Sequence, residues 1–185
     1  MKMKFIQQRR KHVKPIIDVC CGSRMFWFNR QNPAVVFMDN RESEENLCDG
    51  RKLVIKPDLK ADFRHIPYPD NSFCLAVFDP PHLIRAGKKS WLAAKYGKLG
   101  PNWHEDLKAG FNECMRVLKP YGTLVFKWNE DQIRVSEVLA LFGVCPLFGH
   151  RRGKTHFLVF MKMEEAEWCA EQKRAERSLD VVNRP

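Results

Sequence analysis

Three short apolar runs, each lying at or next to an aspartate, constrain this chain more than any other feature. Ile16-Ile17-Asp18-Val19 leads directly into Cys20-Cys21-Gly22-Ser23. Val35-Val36-Phe37-Met38 stops at Asp39, and Cys74-Leu75-Ala76-Val77-Phe78 stops at Asp79. Short, continuous apolar runs mark strands buried on both faces, as in a parallel sheet. Parallel strands need crossovers, and Leu107, Phe111, Cys114, Met115 and Leu118 supply one helical face. A second helix is expected over 133–142. Another is expected to begin within 24–30, where Met25, Phe26, Trp27 and Phe28 would pack on the sheet.

The remaining strands are expected at 61–63, 123–128, 145–148 and 157–161. The last two flank the basic turn His150-Arg151-Arg152-Gly153-Lys154. Pro67-Tyr68-Pro69-Asp70-Asn71 is a dense turn signal. Residues 84–103 mix glycines, lysines and aromatics and predict a long loop. Strands alternating with helices and closed by a hairpin predict an α/β fold, a Rossmann-like three-layer sandwich. One domain is expected over 1–185, with its core at 16–162 and a charged helical tail at 164–185.

The cysteine count of seven is odd, and several cysteines sit in apolar runs, so a disulfide framework is not expected. Their spacing matches no common zinc pattern, and no metal is expected. No apolar run is long enough to cross a bilayer. Polar residues from Gln7 to Lys11 stand where a signal peptide needs its apolar segment, so the expected location is cytoplasmic. The formal net charge of +10 favours polyanionic partners at low salt.

In an open parallel sheet, ligands bind beyond the carboxyl ends of the strands. Asp18 to Arg24 lies there, with Gly22 allowing close backbone approach. Asp39, at the end of the next run, can accept hydrogen bonds from a ribose diol. Asp62 is a further candidate, for an adenine amino group. The chain lacks G-x-G-x-x-G, which a dinucleotide pyrophosphate would favour. Asp79-Pro80-Pro81-His82 follows the central run. An aromatic amine is a poor nucleophile, and two acceptors can hold its N–H groups and favour a pyramidal nitrogen. The Asp79 carboxylate and the Pro80 carbonyl suit that task, because the prolines fix the backbone.

In this order, the Asp18–Ser23 loop, Asp39, the stretch from Asp62 to Phe73, Asp79-Pro80-Pro81-His82 and Leu118-Lys119-Pro120-Tyr121-Gly122-Thr123-Leu124 resemble class I S-adenosylmethionine-dependent methyltransferases. The chain more closely resembles the small stand-alone members found in phages and bacteria. The resemblance implies a seven-stranded sheet with an antiparallel final hairpin, and S-adenosyl-L-methionine as cofactor. It implies that Asp18 and Gly22 lie near the methionine part, Asp39 on the ribose and Asp62 near the adenine, with Cys20 also among the cofactor-binding residues. Cys20 and Arg24 stand where the family has its first and third loop glycines.

Asp79, Pro80, Pro81 and His82 resemble the (Asp/Asn)-Pro-Pro-aromatic motif of enzymes that methylate adenine N6 or cytosine N4. Histidine replaces the aromatic residue that stacks on the base. The expected function is therefore methylation of a nucleobase amine in DNA or RNA, adenine ahead of cytosine. Lys88, Lys89, Trp91, Tyr96, Lys127 and Trp128 are the expected substrate-binding residues, since cations interleaved with aromatics suit nucleic acid. With no separate target-recognition domain visible in the sequence, a partner protein is a further candidate for choosing the target. Two alternatives stand beside this reading. One is methylation of a protein amide or a small molecule; the other is a non-catalytic nucleic-acid-binding subunit.

Overall fold

The computed structural model of the chain describes residues 14–46, 50–87 and 90–163. Five parallel strands form the body of the sheet: β1 (Ile16–Asp18), β2 (Val35–Asp39), β5 (Leu59–Lys60), β6 (Phe73–Phe78) and β7 (Leu118–Asn129). A C-terminal hairpin of β8 (Phe148–Arg152) and β9 (Thr155–Met161) adds to β7 in antiparallel fashion. The order across the seven-stranded sheet is β5-β2-β1-β6-β7-β9-β8. This is a Rossmann-like α/β fold with an antiparallel C-terminal hairpin, as the alternation of elements predicts.

The register fixes where a site can form. Asp18 pairs with Phe37 on one side and Val77 on the other. Asp39 and Asp79 therefore each lie two residues beyond the partner of Asp18. Three carboxylates from three neighbouring strands end at one edge.

The core lies between the sheet and two helices, α2 (Trp103–Val117) and α3 (Val135–Phe142), which follow the short helix α1 (Trp91–Tyr96). The α2 stripe of Leu107, Phe111, Cys114 and Met115 is buried, as its spacing predicts. Phe111 stacks on Phe142 with ring centroids 4.2 Å apart and meets the edge of Phe160. Burying each such side chain stabilises the fold by roughly 1.5–3 kcal/mol. α2 starts with Glu105 and Asp106 and ends with Arg116, charges that complement its dipole. α3 stops at Gly143, whose φ of 68° permits the left-handed turn that closes its last carbonyls.

The opposite face differs from expectation. Residues 24–30 form no helix but a series of turns. Arg24 adopts a φ of 56°, and its guanidinium lies 4.0 Å over the Phe37 ring. It donates to the Arg30 and Lys56 carbonyls and pairs with Asp58 at 2.8 Å. These side-chain bonds hold the segment without a helical ladder. Trp27 packs edge-on against Phe37 and covers a small apolar cluster of Cys21, Val35 and Phe37.

Other boundaries move as well. The charged stretch after Asp39 contains a small hairpin, β3 (Ser43–Asn46) with β4 (Lys52–Ile55). The third parallel strand is β5, so Asp62 lies past it in a turn. Helix α1, capped by Ser90, interrupts the expected loop. The charged tail at 164–185 lies outside the described residues.

Candidate active site

A cavity of about 630 Å³ opens at the strand ends, a size usual for a small-molecule or cofactor site. Asp18, Cys20, Gly22, Asp39, Asp79, Pro81, Tyr96 and Lys127 all line it, drawn from four strand ends and from α1. Of these, Asp18 and Asp39 are buried, and Asp79 is partly covered.

Each carboxylate is held differently. Asp39 Oδ2 accepts the Gly22 N–H at 2.8 Å, which ties the first loop to the second strand. Its Oδ1 accepts from the Arg41 backbone at 2.9 Å and from Arg41 Nε at 3.1 Å. Arg41 Nη1 also donates to the Ala94 carbonyl of α1 at 3.3 Å. One arginine thus spans from Asp39 to α1 beside the cavity.

Asp18 accepts the Trp27 indole N–H at 2.7 Å and the Cys20 N–H at 3.3 Å. Burial raises its pKa to about 7, against those two bonds and with repulsion from Asp79 and Asp39 adding to the rise. Asp79 is also pushed up by burial, opposed by the Lys127 ammonium 2.6 Å from its Oδ2. Burial and the neighbouring carboxylates hold the Cys20 thiol well above its ordinary value, so it is a neutral wall of the cavity and not a nucleophile.

Gly22, at φ 49°, takes the loop through a backbone conformation that a side chain would strain, and an added Cβ would enter the space near Arg41 and the Lys95 carbonyl. Gly97 brings the end of α1 against the Asp-Pro-Pro turn: a Cβ there would lie 3.1 Å from Pro81 Cγ.

Other expected residues lie elsewhere. Pro80 is buried behind the cavity wall and does not line it. His82 lies against Tyr96 and the edge of Trp128, with centroids at 5.4 and 6.4 Å, and does not line the cavity. Burial pushes its pKa down, so the neutral ring is favoured. Trp128 is 1% exposed, its indole N–H given to the Ile133 carbonyl, and it belongs to the core. Asp62 is taken by Arg64, whose guanidinium also reaches Asp106. Trp91 is exposed beside Lys95. Lys88 and Lys89 lie outside the described residues.

Several lining residues escaped the sequence reading. Phe63, next to Asp62, presents its ring instead of the carboxylate. Met25, Phe26 and Phe157 form an apolar wall, with Phe26 and Phe157 ring centroids 6.0 Å apart. Arg152 of the basic turn also lines the cavity. Its neighbours are paired instead, Arg151 with Glu130 and Lys154 with Asp131. The signal for the Phe26 wall was present in Met25-Phe26-Trp27-Phe28, but only Trp27 is spent on packing.

Comparison with solved structures finds chains of similar fold at low sequence identity. The PH0226 protein of Pyrococcus horikoshii OT3 superposes with a TM-score of 0.50 at 14% identity, covering 79% of this chain and 80% of that one. A presumptive methylase of Haemophilus influenzae gives 0.46 at 13% identity, over 83% and 89% of the two chains. A SAM-dependent methyltransferase of Leishmania major gives 0.44 at 15%, over 78% and 63%. At such identities the likeness is one of fold alone. No protein-family model and no curated protein matches the sequence.

Among the described residues, no helix is long and apolar enough to cross a membrane. Nor does any group of three or more His, Cys, Asp or Glu gather as a metal site among them.

Proposed function

We propose that the chain is an S-adenosylmethionine-dependent methyltransferase acting on the exocyclic amine of a nucleobase in DNA or RNA, adenine ahead of cytosine. The observation that carries this reading is the convergence of Asp18, Asp39 and Asp79 on one cavity at the ends of β1, β2 and β6.

The residues present fit such a cofactor. Three carboxylates share one cavity, and the repulsion of Asp18 by Asp79 and Asp39 contributes to its raised pKa. A ligand with an ammonium and a sulfonium group relieves that repulsion, whereas an anionic dinucleotide would add to it. Asp39 would hold the ribose diol once Arg41 swings aside, and Asp18 with the Cys20–Gly22 backbone would hold the methionine part. Phe63, beside the expected adenine residue Asp62, offers a ring to the adenine. When bound, the cofactor supplies a methyl group on a positively charged sulfur.

The Asp79-Pro80-Pro81 turn would receive the target amine. Asp79, which lines the cavity, would accept one of its N–H groups and so favour the pyramidal nitrogen whose lone pair attacks in line. The net positive charge and Arg152 at the cavity wall support a phosphate-bearing substrate.

The deciding experiment is transfer of radiolabelled methyl groups from the cofactor to DNA, RNA and protein in parallel. Label in base amines of a nucleic acid is the expected outcome. Label confined to protein would replace this reading with the amide one.

A further inference from the structure

Beyond the amine acceptor, the cavity floor carries a cation whose place is informative. Lys127 Nζ lies 2.6 Å from Asp79 Oδ2, and both side chains line the cavity. Asp79 Oδ1 makes no hydrogen bond among the described residues, and Lys127 has no other partner there. An ammonium carries three donors, so two remain for a ligand. The floor therefore presents an acceptor and a donor side by side.

Resting on the proposed methyltransferase reading, we propose that Lys127 is a specificity-determining residue that donates to the ring nitrogen beside the target amine. Adenine offers an amine at C6 and an acceptor at N1; cytosine offers an amine at C4 and an acceptor at N3. Both edges complement Asp79 and Lys127 at once. On its Watson–Crick edge guanine presents two adjacent donors, N1–H and the C2 amine, one of which would face the ammonium. Thymine and uracil present a carbonyl to the Asp79 carboxylate. Each mismatch leaves a buried polar group without its partner, the strongest form of discrimination available to such a site. Reading a flipped base along this edge is what an enzyme acting on a base amine requires.

A carboxamide shares the same donor–acceptor edge. The walls favour the base instead: Phe26 and Phe157 stand on one side of the cavity and Tyr96 also lines it, rings suited to a flat aromatic ligand.

The test uses substrates from which the acceptor has been removed. Short oligothymidylates carrying one adenine, one cytosine, one 1-deazaadenine or one 3-deazacytosine are compared, with oligouridylate counterparts for RNA. Single-turnover methyl transfer is measured in each, as is binding by fluorescence anisotropy without cofactor. The full chain is used, as wild type and Lys127→Met. In whichever series is methylated, the deaza bases should lose about ten- to a hundred-fold in transfer and should bind more weakly, as for a lost bond from a charged donor. Lys127→Met should lower the parent bases to the same level and show no further loss on the deaza bases.

Equal transfer to parent and deaza bases by the wild-type protein would overturn the assignment while leaving the methyltransferase reading intact. Transfer to a glutamine peptide with none to any base would overturn both the assignment and the nucleobase reading. The wild-type arm decides even if Lys127→Met does not fold.

Discussion

The guanidinium of Arg41 lies against the carboxylate of Asp39, with Nε 3.1 Å from Oδ1, on the acceptor proposed for the cofactor's ribose diol. The same side chain reaches the Ala94 carbonyl, so opening the ribose position also releases α1. Arg41→Met should therefore tighten S-adenosylmethionine binding and speed its association, because the ligand no longer has to displace a charge-assisted bond. Asp39→Ala should weaken binding and also destabilise the ligand-free protein by about 1–3 kcal/mol, since the Gly22 and Arg41 N–H groups lose their acceptor. Calorimetry and thermal melts of both variants check this. Saturation of the wild type at a hundred times its dissociation constant should stabilise the fold by about 2.7 kcal/mol.

Asp18 governs a pH effect. Its pKa is about 7 in the fold against 3.8 for an ordinary aspartate, so the folded state binds the extra proton between these values. Its contribution to stability therefore falls as pH rises from about 4 to about 7 and is flat above that. Asp58, Asp62, Asp70 and Glu113 have lowered values, and their contributions are lost as pH falls through the acid range. Stability should thus peak in mild acid. Melting curves across pH should show that peak, and Asp18→Asn should flatten the decline on its neutral side. An unchanged decline would mean that another group carries it.

The sheet was largely legible in the sequence because its central strands are buried on both faces and so read as unbroken apolar runs. β2 is buried at every position, from Val35 to Asp39. The aspartates at the strand ends were legible for the same reason, since a charge that stops an apolar run marks the sheet's edge. The segment after β1 was not. Met25, Phe26 and Phe28 have the composition of a packed helix, yet they are 45%, 37% and 111% exposed. A left-handed Arg24 and its long-range bonds to Lys56 and Asp58 set that segment's path, and no local pattern encodes them. Arg41 was hidden likewise: in a charged stretch, nothing distinguishes the one arginine that folds back. Asp62 was misleading in another way. The short strand ends at Lys60, and Arg64 captures the carboxylate, which leaves Phe63 to face the cavity.

Gly110 couples the core to the site. A Cβ there would lie 2.5 Å from Phe63 Cδ2 and 2.8 Å from Phe78 Cζ, so α2 packs against these rings with no room for a methyl group. Gly110→Ala adds helix propensity worth about 1 kcal/mol, but overpacking costs about 1–3 kcal/mol and should win. The melting temperature should fall, and because Phe63 lines the cavity, cofactor affinity should fall with it. Adding Phe63→Ala should recover part of the Gly110→Ala loss, and a double-mutant cycle would measure the coupling. Additive effects would show that the two residues do not press on each other.

Asp79 carries the sharpest expectation. If its carboxylate accepts a bond from the target amine as the nitrogen becomes pyramidal, that bond strengthens toward the transition state. Its loss should then lower turnover much more than substrate affinity. Asp79→Ala should slow methyl transfer by about two to three orders of magnitude, on the scale of removing one preorganised hydrogen-bonding group. The same change strips Lys127 of its ion-pair partner, so some loss of stability should accompany it. Rates must therefore be compared on protein shown by melting and calorimetry to be folded and cofactor-bound. Asp79→Asn separates the two roles. Its carbonyl oxygen still accepts from the amine while its charge is gone, so it should retain measurable turnover even though the Lys127 ion pair is lost. An Asp79→Ala protein that is folded, binds cofactor and methylates at nearly the wild-type rate would reduce Asp79 to the end of a strand.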